Sequence, residues 1–185
     1  MKPILALIFW TLATSATAQP IPYTLAPNAS TVQFAYTLGN DRMLGMMPVQ
    51  SADIRIDFET LSASTVSVAM NAAKARAGVI FATEAMRSAS VLDTRNHPVI
   101  LFESTRVSGT YSKAILHGNL TIRNVTHPVT LRGGIYRLRG SDPADLEDLT
   151  LIFQTTVSRT TFGAMGYPDL VGDQIGITIT ARIRK

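Results

Sequence analysis

An all-β domain closed into a barrel is the fold class this sequence predicts, and three observations predict it. Apolar and polar residues alternate at period two from Asn28 onward, turn signals separate the alternating runs, and every run presents one apolar face. About eight antiparallel runs with short connections favour closure, because a barrel removes exposed edges and gathers all the apolar faces inward. A sandwich is the alternative architecture.

The first eighteen residues stand apart from that pattern. Lys2 supplies a positive start, Ile4 to Ala13 form a short apolar run, and Ala16-Thr17-Ala18 reads as a small-residue cleavage site. Residues 1–18 are therefore expected to be a cleaved signal peptide, and residues 19–185 a single domain. The apolar run is short for a bilayer span, and no later stretch is continuously apolar over roughly 20 residues, so no integral membrane segment is expected in the mature chain.

The strands follow in order. Val32, Phe34, Tyr36 and Leu38 share one face, and a second strand is expected over Ile54 to Phe58. Val66, Val68 and Met70 alternate with Thr65, Ser67 and Ala69. Further strands are expected at Val99 to Val107, Ala114 to Ile122 and Val129 to Leu138. Leu149, Leu151, Phe153 and Val157 share a face, as do Ile175, Ile177, Ile179 and Ile183 in the clearest strand of all. Turn signals stand at Gly39-Asn40-Asp41, Ser108-Gly109-Thr110, Asn124 and Gly140-Ser141-Asp142-Pro143. Asn124 is placed at a hairpin tip, where positive φ is wanted. Residues 71–88 break the alternation with Ala, Glu, Met and Arg, and predict a short helix near 79–88 that closes one barrel end or lies over a cavity mouth.

Composition excludes several function classes. The chain has 185 residues, 46% hydrophobic and 16% charged, which is globular and charge-poor. Its formal charge of +4 includes Lys2, and the remaining cations are mostly arginines dispersed among acids, so no nucleic-acid footprint forms. With no cysteine there is no disulfide, thiolate nucleophile, haem attachment or lipid-anchoring residue.

A search for catalytic chemistry comes out nearly empty. His97, His117 and His127 occur outside any paired metal-ligand spacing; His97 and His127 precede proline and read as strand-start residues, while His117 suits a cross-strand hydrogen bond. The acids do not pair on an inward face, and the cluster of Asp142, Asp145, Glu147 and Asp148 lacks the register of a calcium loop. Ser158 with a rim histidine is the one hydrolase candidate, with no motif behind it. The expectation is no enzyme, no metal and no cofactor. Met43, Met46 and Met47 beside Gly45, with Met86 and Met165, suit either core filling or an adaptable apolar surface at a barrel mouth.

Three stretches then carry a family resemblance. Gly118-Asn119-Leu120-Thr121-Ile122-Arg123-Asn124-Val125-Thr126-His127-Pro128-Val129 resembles the G-x-L-T-I-x-G-V-T-x-P-V hairpin of the YceI-like family of bacterial exported proteins. Met86-Arg87-Ser88 through Leu92-Asp93 to His97-Pro98-Val99-Ile100-Leu101-Phe102 is similar to its L-R-S-x-x-F-F-D-V-x-x-Y-P-x-I-x-F segment. Ser158-Arg159-Thr160-Thr161-Phe162-Gly163, followed by Gly172-Asp173-Gln174-Ile175, resembles its R-S-D-F-G and G-D-x-V ending. The chain departs from the pattern at Val91-Leu92, His97, Thr161 and Asn124.

The resemblance implies an eight-stranded antiparallel lipocalin-like barrel whose interior holds a long-chain isoprenoid or quinone-like lipid, sequestered or carried in the periplasm or after secretion. A cavity of roughly 300–1,000 Å³ is expected for one ligand. The residues expected to line it are Phe34, Tyr36, Met47, Phe81, Met86, Leu92, Phe102, Leu120, Ile122, Phe153, Val157, Phe162 and Ile177. Arg87 and Arg159, which fall in the motifs, are the expected head-group partners, since guanidinium suits phosphate. A homodimer is left open as an oligomeric state. The competing expectation is a periplasmic stress or interaction protein with a packed barrel and no lipid cargo.

Overall fold

A computed structural model describes residues 19–142 and 144–185. The expected leader, residues 1–18, lies outside the described residues. Among the described residues ten strands form one antiparallel sheet: β1 (Ile21–Leu25), β2 (Thr31–Leu38), β3 (Asp41–Met47), β4 (Val49–Ile56), β5 (Thr65–Asn71), β6 (Val99–Thr110), β7 (Lys113–Ile122), β8 (Val125–Arg137), β9 (Asp148–Ser158) and β10 (Gln174–Arg184). A short helix α1 (Ile80–Arg87) lies between β5 and β6.

These ten segments make eight staves. β1 runs on into β2 after a 3-10 turn at Pro27–Ala29, and β3 runs into β4 across Pro48. Proline has no N–H to give the ladder, and both breaks contain one, Pro27 and Pro48. β1 pairs with β4 and β2 with β3, each successive stave pairs with the next, and β10 closes on β2 through Ile179↔Val32 and on β1 through Thr24↔Arg184. The result is a closed up-and-down barrel of eight antiparallel staves with one helix, as the alternation predicted.

Two segments were not predicted. β1 carries Pro22 and is flanked by Pro20 and Pro27, which hide a strand from a propensity reading. β3 holds Gly45 and three methionines, residues without strand preference, yet it pairs with β2 along its full length from Leu38↔Asp41 to Val32↔Met47. Elsewhere the boundaries shift by a few residues. β4 runs over Val49–Ile56 rather than Ile54 to Phe58, β8 starts at Val125, and β6 continues through the Ser108-Gly109-Thr110 signal to a turn at Tyr111-Ser112. Gly109 has φ 91°, which lets the strand bend there without ending.

Strand parity agrees with the expected faces. Leu149, Leu151, Phe153 and Val157 are buried, and Ile183 is wholly so. Arg123 (φ 53°) and Asn124 (φ 61°) both adopt left-handed backbone between the paired residues Ile122 and Val125. That is a type I′ hairpin, with Asn124 at its tip.

The meander gives the barrel two unlike ends. At one end Tyr23, Phe58 and Tyr111 pack as an aromatic plug, with ring centroids 6.3 Å and 5.4 Å apart along the chain of contacts. The Tyr23 hydroxyl donates to the Leu146 carbonyl there, 2.8 Å away. The other end carries the β2–β3, β5–β6, β7–β8 and β9–β10 connections, including α1.

Candidate functional site

Beneath those connections the barrel interior is hollow. The cavity measures about 260 Å³, just below the expected range. Its walls are Phe34 and Tyr36 of β2, Met47 of β3, Phe102 of β6, Leu120 and Ile122 of β7, Val157 of β9 and Ile177 of β10. Phe81 and Met86 of α1, Leu92 after it and Phe162 after β9 cover the top. All the apolar residues expected from the sequence thus meet around one space except Phe153, which lines a second void deeper in the barrel, of about 100 Å³.

Glycines seat two of the aromatic walls. A Cβ at Gly45 would overlap the ring of Phe34, its cross-strand partner, and a Cβ at Gly118 would stand 2.5 Å from Cζ of Phe102. Each ring therefore packs over a glycine of the neighbouring strand, in space that any larger residue there would fill. Sequence reading found Gly45 and Gly118 as motif positions but not this role, which needs the cross-strand register.

α1 is pinned at both ends. The Thr83 hydroxyl donates to the Val79 carbonyl at 2.9 Å and accepts from the Ala77 N–H at 3.0 Å, tying the first turn to the preceding segment. Arg87, in the last turn where a cation complements the helix dipole, donates to the Ala75 carbonyl at 2.9 Å. Ala82 faces inward against Tyr36 and Ala77, and the Tyr36 hydroxyl donates to the Ala77 carbonyl at 2.7 Å. Burial raises the Tyr36 hydroxyl's pKa above its ordinary value, so it stays a neutral donor.

The two arginines expected to meet a head group are placed differently. Arg87 is not among the residues around the cavity; it bridges the buried Ala75 carbonyl and the Glu84 carboxylate. Arg159 does lie against the cavity and is 7% exposed. Its Nε donates to the Gly172 carbonyl at 3.1 Å, Nη1 to the carbonyls of Ala164 and Gly166, and Nη2 to that of Val171 at 2.8 Å. Among the described residues it makes no ion pair. Four of its five N–H bonds close the β9–β10 connection, leaving one for anything else.

Two further anchors at this end were not read from the sequence. Asp173 accepts from the backbone and hydroxyl of Thr160, at 3.0 and 2.7 Å. Hydrogen bonds from the hydroxyls of Thr160 and Ser158 and from the Thr160 N–H hold its carboxyl down at about 2. Arg123, at the β7–β8 tip, reaches the carbonyls of Val91 and Gly163 and so ties three connections together. Neither contact leaves a periodic signature in the chain.

The mouth has an apolar rim. Phe81, Tyr167 and Leu170 are exposed and also line the cavity, with Ile80 and Met165 beside them on the outside. A broader depression of about 590 Å³ lies on the outer sheet face among Arg42, Arg132, Gln33, Gln154 and Thr178, polar and open to water. It offers nothing to an apolar chain. The histidines take no part in the cavity: His117 bonds Thr130 across strands at 3.0 Å, His97 lies against Asp93, and His127 packs edge-on to Phe162.

The profile of the YceI-like domain matches residues 23–183. The chain belongs to the YceI-like family. Curated relatives of this YceI-like chain include UPF0312 proteins of Pseudomonas aeruginosa and Pseudomonas paraeruginosa, 29% identical over 106 residues, 57% of this chain. The chain spans about 55% of the length of those relatives. Among solved structures, Burkholderia cenocepacia BcnA superposes with a TM-score of 0.74 at 16% identity, covering 85% of this chain and 98% of its own. A Campylobacter jejuni YCEI protein gives 0.62 at 16% identity, over 76% and 84% of the two chains. A polyisoprenoid binding domain from Saccharophagus degradans, implicated in plant cell wall breakdown, gives 0.64 at 10% identity, over 89% and 98%. The YceI-like barrel is thus the shared fold.

Proposed function

We propose that this protein is an exported, non-enzymatic binding protein that encloses an isoprenoid chain, of polyprenyl phosphate or quinone type, in the cavity under α1. The observation that carries the reading is the cavity itself. Apart from Thr155, Arg159 and two tyrosine hydroxyls, its side-chain lining is apolar, and it opens through an apolar rim. An isoprenoid is scarcely soluble in water, and each CH₂ moved into such a space is worth about 0.8 kcal/mol. The polyisoprenoid binding domain of Saccharophagus degradans, a neighbour in fold, lends the reading further support. No step of bond chemistry is required, and the protein works as a carrier or buffer in the periplasm or outside the cell.

The test is organic extraction and mass spectrometry of the protein purified without detergent from the compartment to which its host exports it, beside an unrelated exported barrel. A stoichiometric isoprenoid or quinone is expected. A clean protein that also takes up no added prenol would replace this reading with a packed barrel acting through its surface.

A further inference from the structure

The cavity under α1 does not run the length of the barrel. The deeper void shares five of its lining residues with the upper one: Val32, Met70, Phe102, Leu131 and Ile179. They come from β2, β5, β6, β8 and β10, so they form a layer across the interior from both sides. Val32 and Ile179 are paired in register, and Phe102 sits diagonally across the strand pair from Met70. The Phe102 ring is held by packing on Gly118 and is 6% exposed.

We infer that this layer, with Phe102 and Met70 as its bulkiest members, is a length stop that sets how much of an apolar chain the protein can hold. The inference rests on the binding reading above and deepens it. A chain entering from the mouth fills the upper space first and then meets the Phe102 layer. The preferred ligand is therefore an isoprenoid of which only the segment above that layer is enclosed, whatever its full length.

The experiment is a chain-length series. Prenyl alcohols of five, ten, fifteen, twenty and forty carbons are presented at one fixed cyclodextrin concentration to the protein purified after export, and Kd is read by calorimetry with native mass spectrometry for stoichiometry. In wild type, affinity tightens by up to about four-fold per enclosed CH₂ and then reaches a plateau before forty carbons, staying within about three-fold beyond it. In Phe102→Ala the two voids join, the plateau moves to longer chains, and the first alcohol beyond the wild-type plateau gains at least about ten-fold. Met70→Ala opens the same layer from the opposite strand and keeps the test valid if Phe102→Ala fails to fold. Wild-type affinity that keeps rising to forty carbons overturns the stop while leaving binding intact. A plateau that neither folded variant extends overturns its assignment to Phe102 and Met70. A wild type that binds none of the five overturns the binding reading itself.

Discussion

Replacing Arg159 separates two roles that a buried arginine at a cavity wall can have. Its guanidinium is removed from water with no carboxylate partner among the described residues, a situation tolerable only because carbonyl dipoles supply the missing solvation. Arg159→Met deletes the donors to Ala164, Gly166, Val171 and Gly172 together. Water can reach some of the freed carbonyls, so the four bonds are not worth four independent losses, and we expect ~3 kcal/mol in total. For a domain of this size each kcal/mol moves Tm by about 2–4 °C, so Tm falls by about 6–12 °C. Arg159→Lys keeps the charge, but a single ammonium cannot span four carbonyls spread along the connection, and it recovers less than half of that loss.

The same variants are then examined by amide hydrogen exchange and by binding. Exchange is expected to quicken at Gly163, Ala164 and Val171 before the strands respond, because the connection opens locally. Affinity for a prenyl phosphate and for the matching neutral alcohol falls by the same factor, since both lose the same lid. A Tm unchanged in Arg159→Met, together with a loss of at least about ten-fold confined to the phosphate, would refute the reasoning and make Arg159 a head-group ligand after all.

Leu120→Trp places an indole in the upper cavity from a position 5% exposed; it costs about 1–3 kcal/mol by overpacking and abolishes prenol uptake, read by native mass spectrometry of a protein whose circular dichroism is unchanged. Gly45→Ala drives the Phe34 ring off its seat at a cost of about 1–3 kcal/mol, and adding Phe34→Leu restores part of it in a double-mutant cycle; strictly additive losses would show that the ring is not what the Cβ meets. Asp173 binds its proton at about 2 in the folded chain against an ordinary 3.8, so its contribution is complete above about pH 4 and is lost as pH falls towards 2. NMR titration of the Asp173 carboxyl checks the value. Asp173→Asn is expected to flatten that acid dependence of the β9–β10 connection, and an unchanged acid profile would assign it to another group.

The staves were legible because each has one wet face and one dry one, and period-two alternation records that directly. Ile175, Ile177 and Ile179 announce an inward face, and they line the cavities as their spacing demands. α1 was legible as a break in alternation. What failed to show was held by pairing rather than composition: β3 has little strand preference of its own and becomes a strand because β2 offers it a complete ladder. The apolar wall was found from face parity, with Phe153 misplaced because parity gives the side of the sheet and not the depth along the barrel. Arg159 was found as a motif residue, but its partners are backbone carbonyls, which every residue carries and no sequence distinguishes.

The motifs behind the family resemblance all fall at the open end of the barrel: the β7–β8 hairpin, the β5–β6 connection with α1, and the β9–β10 connection. That placement explains how the departures can leave the fold intact. Asn124 replaces a turn glycine but accepts the left-handed backbone the hairpin needs, at φ 61°. Thr161 replaces an acid beside Arg159, and the guanidinium is satisfied by carbonyls instead, so no buried charge is stranded. Val91 and Leu92 replace an aromatic pair, and both line the cavity directly. Of these changes only the last alters the cavity wall. The scaffold is thus indifferent to substitutions that the cavity is not, and the chain-length profile of binding, rather than stability, is where Val91→Phe and Leu92→Phe should register: the added rings narrow the mouth and shorten the enclosed segment while Tm stays within a few degrees of wild type.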